Sequence, residues 1–289
     1  MNTPQKKAGF VVLVGRSNVG KSTLLNALVG TKVAITSPKP QTTRLPIRGI
    51  LTLPDGQAVF VDTPGIFKDA RDTLSKKLME SVRQSLQDID VVVYVADPTR
   101  AIGDEEKYLL ALMEKIDAPK ILAINKSDLR EREKPFLEFY RDLAPKFAAV
   151  LEVSAERGSH VKTLAAQVME YLPAGEFFYP EFQMTDMGQK EWLAELVREK
   201  LFLRLRQEVP YSVHVVCEDI EERDSGMLYV KATIYTNDSR YQRMIIGQGG
   251  RGVKEIGQAA RKELQTVMNR PVYLDLNVDV DPHWQENVG

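Results

Sequence analysis

Short apolar runs alternate with helical patterns across residues 9–172. The runs are GFVVLVG, QAVFVDT, DVVVYVAD, KILAINK and AAVLEVSA, and each ends in polar or turn-forming residues. Between them lie KSTLLNALVG, LSKKLMESVRQSLQ, EEKYLLALMEKI and VKTLAAQVMEYL, whose apolar residues recur at i, i+3 and i+4. Nearly continuous apolar strands separated by helices predict an α/β domain with a mostly parallel sheet and helices on both faces.

The pattern changes at LPAGEFFYPEFQ, residues 172–183, which we interpret as a packed linker. Beyond it a long amphipathic helix, KEWLAELVREKLFLRLRQ, precedes two predicted strands, YSVHVVCED and GMLYVKATIYT. Two helical segments and a last strand, RPVYLDLNVDV, follow. The sequence therefore predicts an α/β domain at 1–174, a linker at 175–183 and an α+β domain at 184–289.

Composition limits the class of protein. The chain has 289 residues, 43% hydrophobic and 27% charged, as in soluble globular proteins, and its net charge of −1 gives no overall attraction to nucleic acid. Cys217 is the only cysteine, which excludes an internal disulfide and a multi-cysteine metal site. The apolar runs fall short of the roughly 18 residues that span a membrane. We expect a cytoplasmic protein, and peripheral contact with the cytoplasmic face of the membrane stays open.

A phosphate-binding loop is predicted at GRSNVGKS, residues 15–22, because it follows an apolar strand and opens a helix. Its glycines let backbone N–H groups point inward at a polyphosphate. Lys21 is expected to reach the β and γ phosphates, and the Ser22 hydroxyl to ligate Mg²⁺. With one glycine from the next motif, the predicted phosphate-binding residues are Gly15, Arg16, Ser17, Asn18, Val19, Gly20, Lys21, Ser22, Thr23 and Gly65.

Two further segments complete the predicted metal and switch residues. DTPG, residues 62–65, ends a strand, so Asp62 is placed to hold Mg²⁺ through water and the Gly65 N–H to contact a γ-phosphate. TSPKPQTTRLPIRG, residues 36–49, is a polar loop without periodicity. Thr42 or Thr43, with Thr43 preferred, is expected to close on Mg²⁺ and to release after hydrolysis. The predicted switch residues are Gln41, Thr42, Thr43 and Arg44.

A guanine site is predicted from NKSD, residues 125–128, which ends the KILAI strand. An aspartate there can accept hydrogen bonds from the N1–H and exocyclic amine of guanine, whereas adenine presents the opposite pattern. SAERG, residues 154–158, can offer a backbone N–H to guanine O6. The predicted guanine-binding residues are Asn125, Lys126, Asp128, Ser154, Ala155 and Glu156, which makes GTP or GDP the expected ligand.

The stretch MIIGQGGRGVKEIG, residues 244–257, fits two motifs. Gly247-x-Gly249-x-x-Gly252 fits a dinucleotide-binding fingerprint, but that motif needs a preceding strand, and NDSRYQRMII reads as the start of a short helix. Only 42 residues follow Gly247, too few for the rest of a dinucleotide fold. A helix, a GQGG turn and a helix instead fit a KH module, which clamps single-stranded RNA at the turn. In this interpretation Gly252 has no role of its own.

Local charge favours the RNA interpretation. Residues 175–289 hold 14 basic and 19 acidic residues, yet residues 240–270 hold seven basic and two acidic. A basic island within an acidic domain is typical of a face that contacts phosphates. The predicted RNA-binding residues are Arg243, Ile246, Gly247, Gln248, Gly249, Gly250, Arg251 and Lys254.

These motifs, in this order, resemble the Era branch of the translation-factor-related GTPases. The resemblance rests on GRSNVGKS, QTTR, DTPG and NKSD, and on YPEFQMTD, REKLFLRLRQEVPYSV, IIGQGG and KEIGQAARKEL, which are similar to the type II KH extension of that branch. Ile66 stands where many small GTPases carry a water-orienting glutamine. The resemblance implies slow, Mg²⁺-dependent hydrolysis stimulated by a K⁺ ion that Asn18 helps to hold.

The resemblance also implies partners, namely the 3′ end of 16S rRNA and the 30S subunit during its maturation, bound by a monomer. Two residues depart from the family pattern: Ser17 replaces a usual proline, and Gly249 stands where a basic residue is frequent. TDMGQK also replaces the usual Thr-Asp-Arg-Pro. Two alternatives remain, a GTPase whose second domain docks protein or membrane, and an RNA-binding module with an inactive nucleotide site.

Overall fold

The chain forms two compact units. The computed structural model describes residues 5–39, 42–44, 46–64, 89–205 and 209–284. The first unit comprises residues 1–34 and 43–186, and the second comprises residues 35–42 and 187–289. These bounds differ from the predicted ones in two respects: the predicted linker belongs to the first unit, and a short segment of the predicted switch loop belongs to the second.

The first unit contains a six-stranded sheet. Its strands are β1 (Lys7–Val14), β2 (Ile47–Leu53), β3 (Gly56–Asp62), β4 (Val91–Ala96), β5 (Lys120–Ile124) and β6 (Ala149–Glu152). Their order is β2-β3-β1-β4-β5-β6, in which β2 pairs antiparallel with β3 and the other pairs are parallel. The predicted mostly parallel sheet is therefore confirmed, and β2, which follows the polar loop, is a strand that was not predicted.

Helices cover both faces of this sheet because its strands are apolar on both sides. The described helices of the first unit are α1 (Lys21–Val29), α2 (Asp104–Met113), α3 (Leu137–Asp142) and α4 (Val161–Tyr171). Leu109 of α2 and Tyr140 of α3 pack on the face that carries Val12, Val92 and Leu122. Helices α1 and α4 contact β3 and each other instead. The helix predicted at LSKKLMESVRQSLQ lies outside the described residues.

The segment after α4 runs along the edge of the first unit. The buried Gln57 side chain accepts from the backbone N–H groups of Phe178 and Tyr179 through Oε1 and donates to the Tyr179 carbonyl through Nε2. Further on, the Ile50 N–H of edge strand β2 donates to the Met184 carbonyl. These bonds satisfy part of an otherwise open sheet edge and hold the segment in place.

The second unit is an α+β domain, as predicted. Its three-stranded sheet has the order β7-β8-β9, with β7 and β8 antiparallel and β8 and β9 parallel. Three helices pack on one face through Leu193, Val197, Ile245, Ile256 and Leu264. The elements are α5 (Gln189–Arg204), β7 (Val213–Glu222), β8 (Leu228–Thr236), α6 (Ser239–Ile246), α7 (Arg251–Met268) and β9 (Val272–Val280).

The turn between α6 and α7 depends on a close backbone approach at Gly252. A Cβ atom at this position would lie 2.3 Å from the Ile245 carbonyl oxygen and 2.9 Å from the Ile246 carbonyl oxygen. These are backbone atoms that cannot move without displacing α6. The interpretation of Gly252 as a residue without a role is therefore wrong, because its missing side chain lets the two helices meet.

We predict that Gly252→Ala destabilises the second unit by about 1–3 kcal/mol through overpacking. Gly257→Ala is the matched control in the same helix, since its Cβ would meet only a leucine methyl at 3.8 Å. That control should be neutral or stabilising by about 0.5–1 kcal/mol. Denaturant unfolding of both variants checks this, and equal stabilities for the two would contradict the steric account.

Candidate functional site

The predicted nucleotide motifs converge at the carboxyl edge of the first sheet. The phosphate loop follows β1, Asp62 ends β3 and Asn125 follows β5. Ser154 follows β6 after one intervening residue. Four parallel strands therefore deliver their polar ends to one edge, where ligands of such sheets bind.

The phosphate loop is folded around the Lys21 ammonium. Lys21 is buried, and its Nζ donates to the carbonyl oxygens of Gly15 at 3.0 Å and Arg16 at 2.9 Å. Gly20 and Asn18 take positive φ angles of 101° and 61°, which wrap the chain into the start of α1. Burial lowers the pKa of Lys21 to about 8, although Asp62 acts in the opposite direction. A bound polyphosphate would supply the opposite charge that this ammonium needs.

Three oxygen-bearing side chains meet beside the loop. The Ser22 hydroxyl donates to Asp62 Oδ2 at 2.5 Å, Ser22 Oγ lies 3.0 Å from Thr43 Oγ1, and Thr43 Oγ1 lies 3.3 Å from Asp62 Oδ2. Burial raises the pKa of Asp62, and Asp62 Oδ1 has no hydrogen-bond partner among the described residues. Hydroxyls, a carboxylate and an unsatisfied buried oxygen fit a hard cation such as Mg²⁺.

The structure separates the two candidate switch threonines. Thr43 joins the oxygen cluster, whereas the Thr42 hydroxyl donates to Ser37 and to the Lys39 carbonyl. Thr43 is thus the threonine that lies beside Ser22 and Asp62, and its contact with Mg²⁺ stays a prediction. Gln41 and Gly65, also predicted as site residues, lie outside the described residues.

The predicted guanine motifs are joined to the phosphate loop by Asn125. Its Nδ2 donates to the Val19 carbonyl at 2.8 Å, and its Oδ1 accepts from the Ala155 N–H at 2.9 Å. The Ala155 N–H is also the predicted donor to guanine O6. Because it already donates to Asn125 Oδ1, a guanine O6 would have to accept from a donor that has a partner within the protein. Asp128 is exposed, and its Oδ1 accepts from the buried Ser154 hydroxyl at 2.5 Å. Glu156 is exposed beside them.

Two residues that the sequence did not single out support the site. Asp97, fully buried after β4, accepts from Lys126 Nζ at 2.6 Å and so fixes the lysine of the guanine motif. Arg100 donates to the Ser17 carbonyl at 2.6 Å. Asp97 follows β4 at the same sheet edge as the predicted residues. Its position directly after an apolar strand could have identified it from the sequence.

The Arg16 side chain points away from the phosphate site. Its guanidinium is buried, donates to the Ala101 carbonyl at 2.9 Å and pairs with Glu106, so a phosphate contact of Arg16 stays a prediction for its backbone N–H alone. Its sequence position put it in the loop, but its side-chain direction depends on a distant carboxylate.

The second unit presents the predicted GQGG turn at its surface. Gly249 and Gly250 have φ angles of 60° and 76°, a region that favours glycine, and Gln248 and Gly249 are exposed. Arg243, Arg251 and Lys254 are exposed around the turn, and none forms an ion pair within the described part of the chain. Ile246 is half-buried, while Ile245 and Ile256 anchor the two helices in the core. The turn therefore combines open backbone with uncompensated positive charge.

No candidate membrane-spanning helix occurs among residues 5–39, 42–44, 46–64, 89–205 and 209–284. The same residues contain no group of three or more histidine, cysteine and acidic side chains suited to a metal ion.

The fold and the site together define a P-loop GTP-binding protein with an appended KH domain. A sequence profile described as 50S ribosome-binding GTPase matches residues 10–126, and one described as KH domain matches residues 208–285. The chain is 43% identical over 289 residues to GTPase Era of Halothermothrix orenii, covering 98% of this chain and 96% of the relative. It is 40% identical to GTPase Era of Deinococcus radiodurans, covering 99% and 94%. The chain belongs to the Era family of GTPases.

Two solved structures are similar over nearly the whole chain. One is a crystal structure of Era in complex with MgGDPNP and nucleotides 1506–1542 of 16S ribosomal RNA, with a TM-score of 0.88, 37% identity and coverage of 97% of this chain and 95% of that one. The other is a variant of Aquifex aeolicus Era bound to GDP and AlF4⁻, with a TM-score of 0.87, 36% identity and coverage of 96% and 95%.

We predict that nucleotide binding takes up a proton above pH 8. The pKa of Lys21 is about 8 without ligand, and bound phosphates raise it toward the ordinary 10.5 because they stabilise the ammonium. Affinity for GDP should therefore fall as the pH rises above 8. Calorimetric titration with GDP in buffers of different ionisation enthalpy measures the uptake, with neutral pH as the control. Binding heats independent of the buffer above pH 8 would contradict this.

Proposed function

We propose that this GTPase acts as a switch in which the nucleotide state governs the binding of single-stranded RNA at the GQGG turn. Two observations together carry the proposal. Lys21, Ser22, Asp62 and Asp128 lie at one sheet edge, and the second unit carries an exposed glycine turn with exposed basic side chains around it. A nucleotide site and an exposed glycine turn in one chain suit a protein whose RNA binding depends on the nucleotide that it holds.

A continuous stretch of backbone supports the coupling. Residues 35–39 and Thr42 belong to the second unit, where the Arg198 guanidinium donates to the Thr42 carbonyl at 2.6 Å and Glu199 accepts from the Thr36 N–H at 2.8 Å. The next residue, Thr43, bonds Ser22 and approaches Asp62 in the first unit. A shift of Thr43 with nucleotide state would therefore pull on backbone that the second unit holds.

The proposed RNA is the 3′ end of 16S rRNA, and the proposed process is maturation of the 30S ribosomal subunit. Support comes from the similar Era structure that holds nucleotides 1506–1542 of 16S rRNA. The glycines of the turn let a sugar–phosphate backbone approach, and Arg243, Arg251 and Lys254 would contact its phosphates. Gly249 removes one expected basic contact, and Arg251 or Lys254 takes up that role. We further propose a cytoplasmic monomer.

The proposed catalytic cations are Mg²⁺ and K⁺. Ser22, Thr43 and Asp62 would hold Mg²⁺, which supplies positive charge to the transferred phosphoryl group when it is bound. Asn18 would help to hold K⁺, and its side chain is exposed on the phosphate loop. Because the isoleucine at position 66 cannot orient water by hydrogen bonding, hydrolysis without a stimulating factor is expected to be slow.

We predict faster GTP turnover in KCl than in NaCl at equal ionic strength, by roughly 10-fold or more, the scale of one positioned charge. Asn18→Gly should abolish the difference, because it removes the side-chain oxygen while keeping the positive φ angle accessible. Phosphate release at saturating GTP measures this. Equal turnover of the unaltered protein in both salts would contradict the K⁺ proposal.

We predict that the double substitution Gln248→Asp with Gly249→Asp weakens binding to an RNA fragment spanning nucleotides 1506–1542 by roughly 10-fold or more, since two negative charges would face RNA phosphates. Affinity for GTP should be unchanged. The matched control is Gln258→Asp with Ala259→Asp, which adds similar charge at exposed positions of α7 away from the turn.

Fluorescence anisotropy with labelled RNA separates the outcomes. RNA binding that survives the turn variant would overturn the RNA proposal and favour a second unit that docks protein or membrane instead. Equal loss in the turn variant and the control would show that general charge, rather than the turn, carries the affinity.

A further inference from the structure

A buried ion pair lies behind the phosphate loop. Arg16 and Glu106 are 4% and 1% exposed, and Arg16 Nε lies 2.5 Å from Glu106 Oε2. Tyr94 donates its hydroxyl to the other carboxylate oxygen. Burial and the Glu106 carboxylate raise the pKa of Tyr94, so the phenol stays protonated and remains a donor. Glu106 thus sits as a carboxylate between a β4 tyrosine and a loop arginine.

Arg16 links this pair to the nucleotide side of the loop. Its guanidinium faces Glu106 and the Ala101 carbonyl, while its own carbonyl oxygen accepts from Lys21 Nζ at 2.9 Å. The neighbouring Ser17 carbonyl is held by Arg100 at 2.6 Å. Residues 100–106 therefore anchor two consecutive peptide units of the loop from behind.

The charge of Arg16 makes the anchor sensitive to Glu106. A buried guanidinium that loses its carboxylate is strongly unfavourable, because desolvation is no longer compensated. Arg16 Nη2 has no hydrogen-bond partner in the described part of the chain, and Nε contacts Glu106 as an ion pair without hydrogen-bond geometry. Among the described residues Glu106 is therefore the anion that compensates this guanidinium. Relief requires the arginine to move toward water, and its peptide unit would move with it.

We propose that Glu106 is a positioning residue for nucleotide binding, which acts through Arg16 to keep the phosphate loop in its binding conformation. The inference rests on the proposed use of this loop to bind GTP and GDP. Glu106 itself would contact no nucleotide. Through Arg16 it fixes the peptide group whose carbonyl oxygen accepts from Lys21 Nζ, the same ammonium that the phosphates of a bound nucleotide would contact. Both nucleotides should be affected alike, because the loop surrounds phosphates that they have in common.

The test is Glu106→Gln in the full chain, with labelled GDP and GTP titrated at a temperature where each variant is folded. We expect the dissociation constants to rise roughly 10- to 100-fold, by analogy with the loss of metal affinity when a partner that orients a metal ligand is removed. The preference for guanine over adenine nucleotides should remain, since Asp128 follows another strand. Glu105→Gln is the matched control: it lies in the same first turn of α2 and is half-buried, outside the ion pair.

Further variants separate positioning from stability. Glu106→Asp should recover part of the affinity because it keeps the charge at a greater distance. Arg16→Met with Glu106→Gln removes both charges and should restore the melting temperature without restoring affinity, since the loop is no longer anchored. This double variant also serves if Glu106→Gln does not fold.

Wild-type affinity in folded Glu106→Gln, or in the folded double variant, would overturn the inference and leave Glu106 a structural residue. A fall in affinity with Glu105→Gln equal to that with Glu106→Gln would also overturn it. Absence of GTP and GDP binding by the unaltered protein would instead overturn the proposed function, so the two failures are distinguishable.

Discussion

A buried lysine ammonium in the phosphate loop is the constraint on which the nucleotide site depends. Lys21 has little access to water, and carbonyl oxygens of the loop and the Asp62 carboxylate compensate its charge. These partners are weaker than the phosphates that the loop is shaped to receive. The loop is thus held in advance of binding, with a cation directed at the position where an anion will lie.

The neighbouring groups can be understood as supports for this arrangement. Asn125 fixes the Val19 carbonyl and the Ala155 N–H, so that the phosphate loop and the two guanine motifs share one hydrogen-bonded framework. Asp97 fixes Lys126 in the same way. On the metal side, Ser22 and Thr43 satisfy one oxygen of Asp62 and leave the other open toward a cation.

Most of the fold and the nucleotide site could be predicted from the sequence, because parallel strands bring their carboxyl ends to one edge. Motifs such as DTPG and NKSD therefore predict both where their residues lie and which groups they can bind. The features that were missed depend on contacts between elements, which a motif does not show. The direction of the Arg16 side chain is decided by Glu106, and the need for Gly252 by carbonyls of the preceding helix. Strand β2 was not predicted because its residues follow a polar loop and form an edge strand of the sheet.

The proposed function requires that the GTP site and the GQGG turn be coupled. Linkage requires that RNA change nucleotide affinity by the same factor by which nucleotide changes RNA affinity. The most direct measurement is the affinity for the RNA fragment spanning nucleotides 1506–1542 in the presence of GDP and of a non-hydrolysable GTP analogue, together with GTP turnover with and without that RNA. If the two are coupled, RNA affinity differs between the two nucleotide states and turnover responds to RNA. Identical affinities and an unchanged turnover would contradict the coupling.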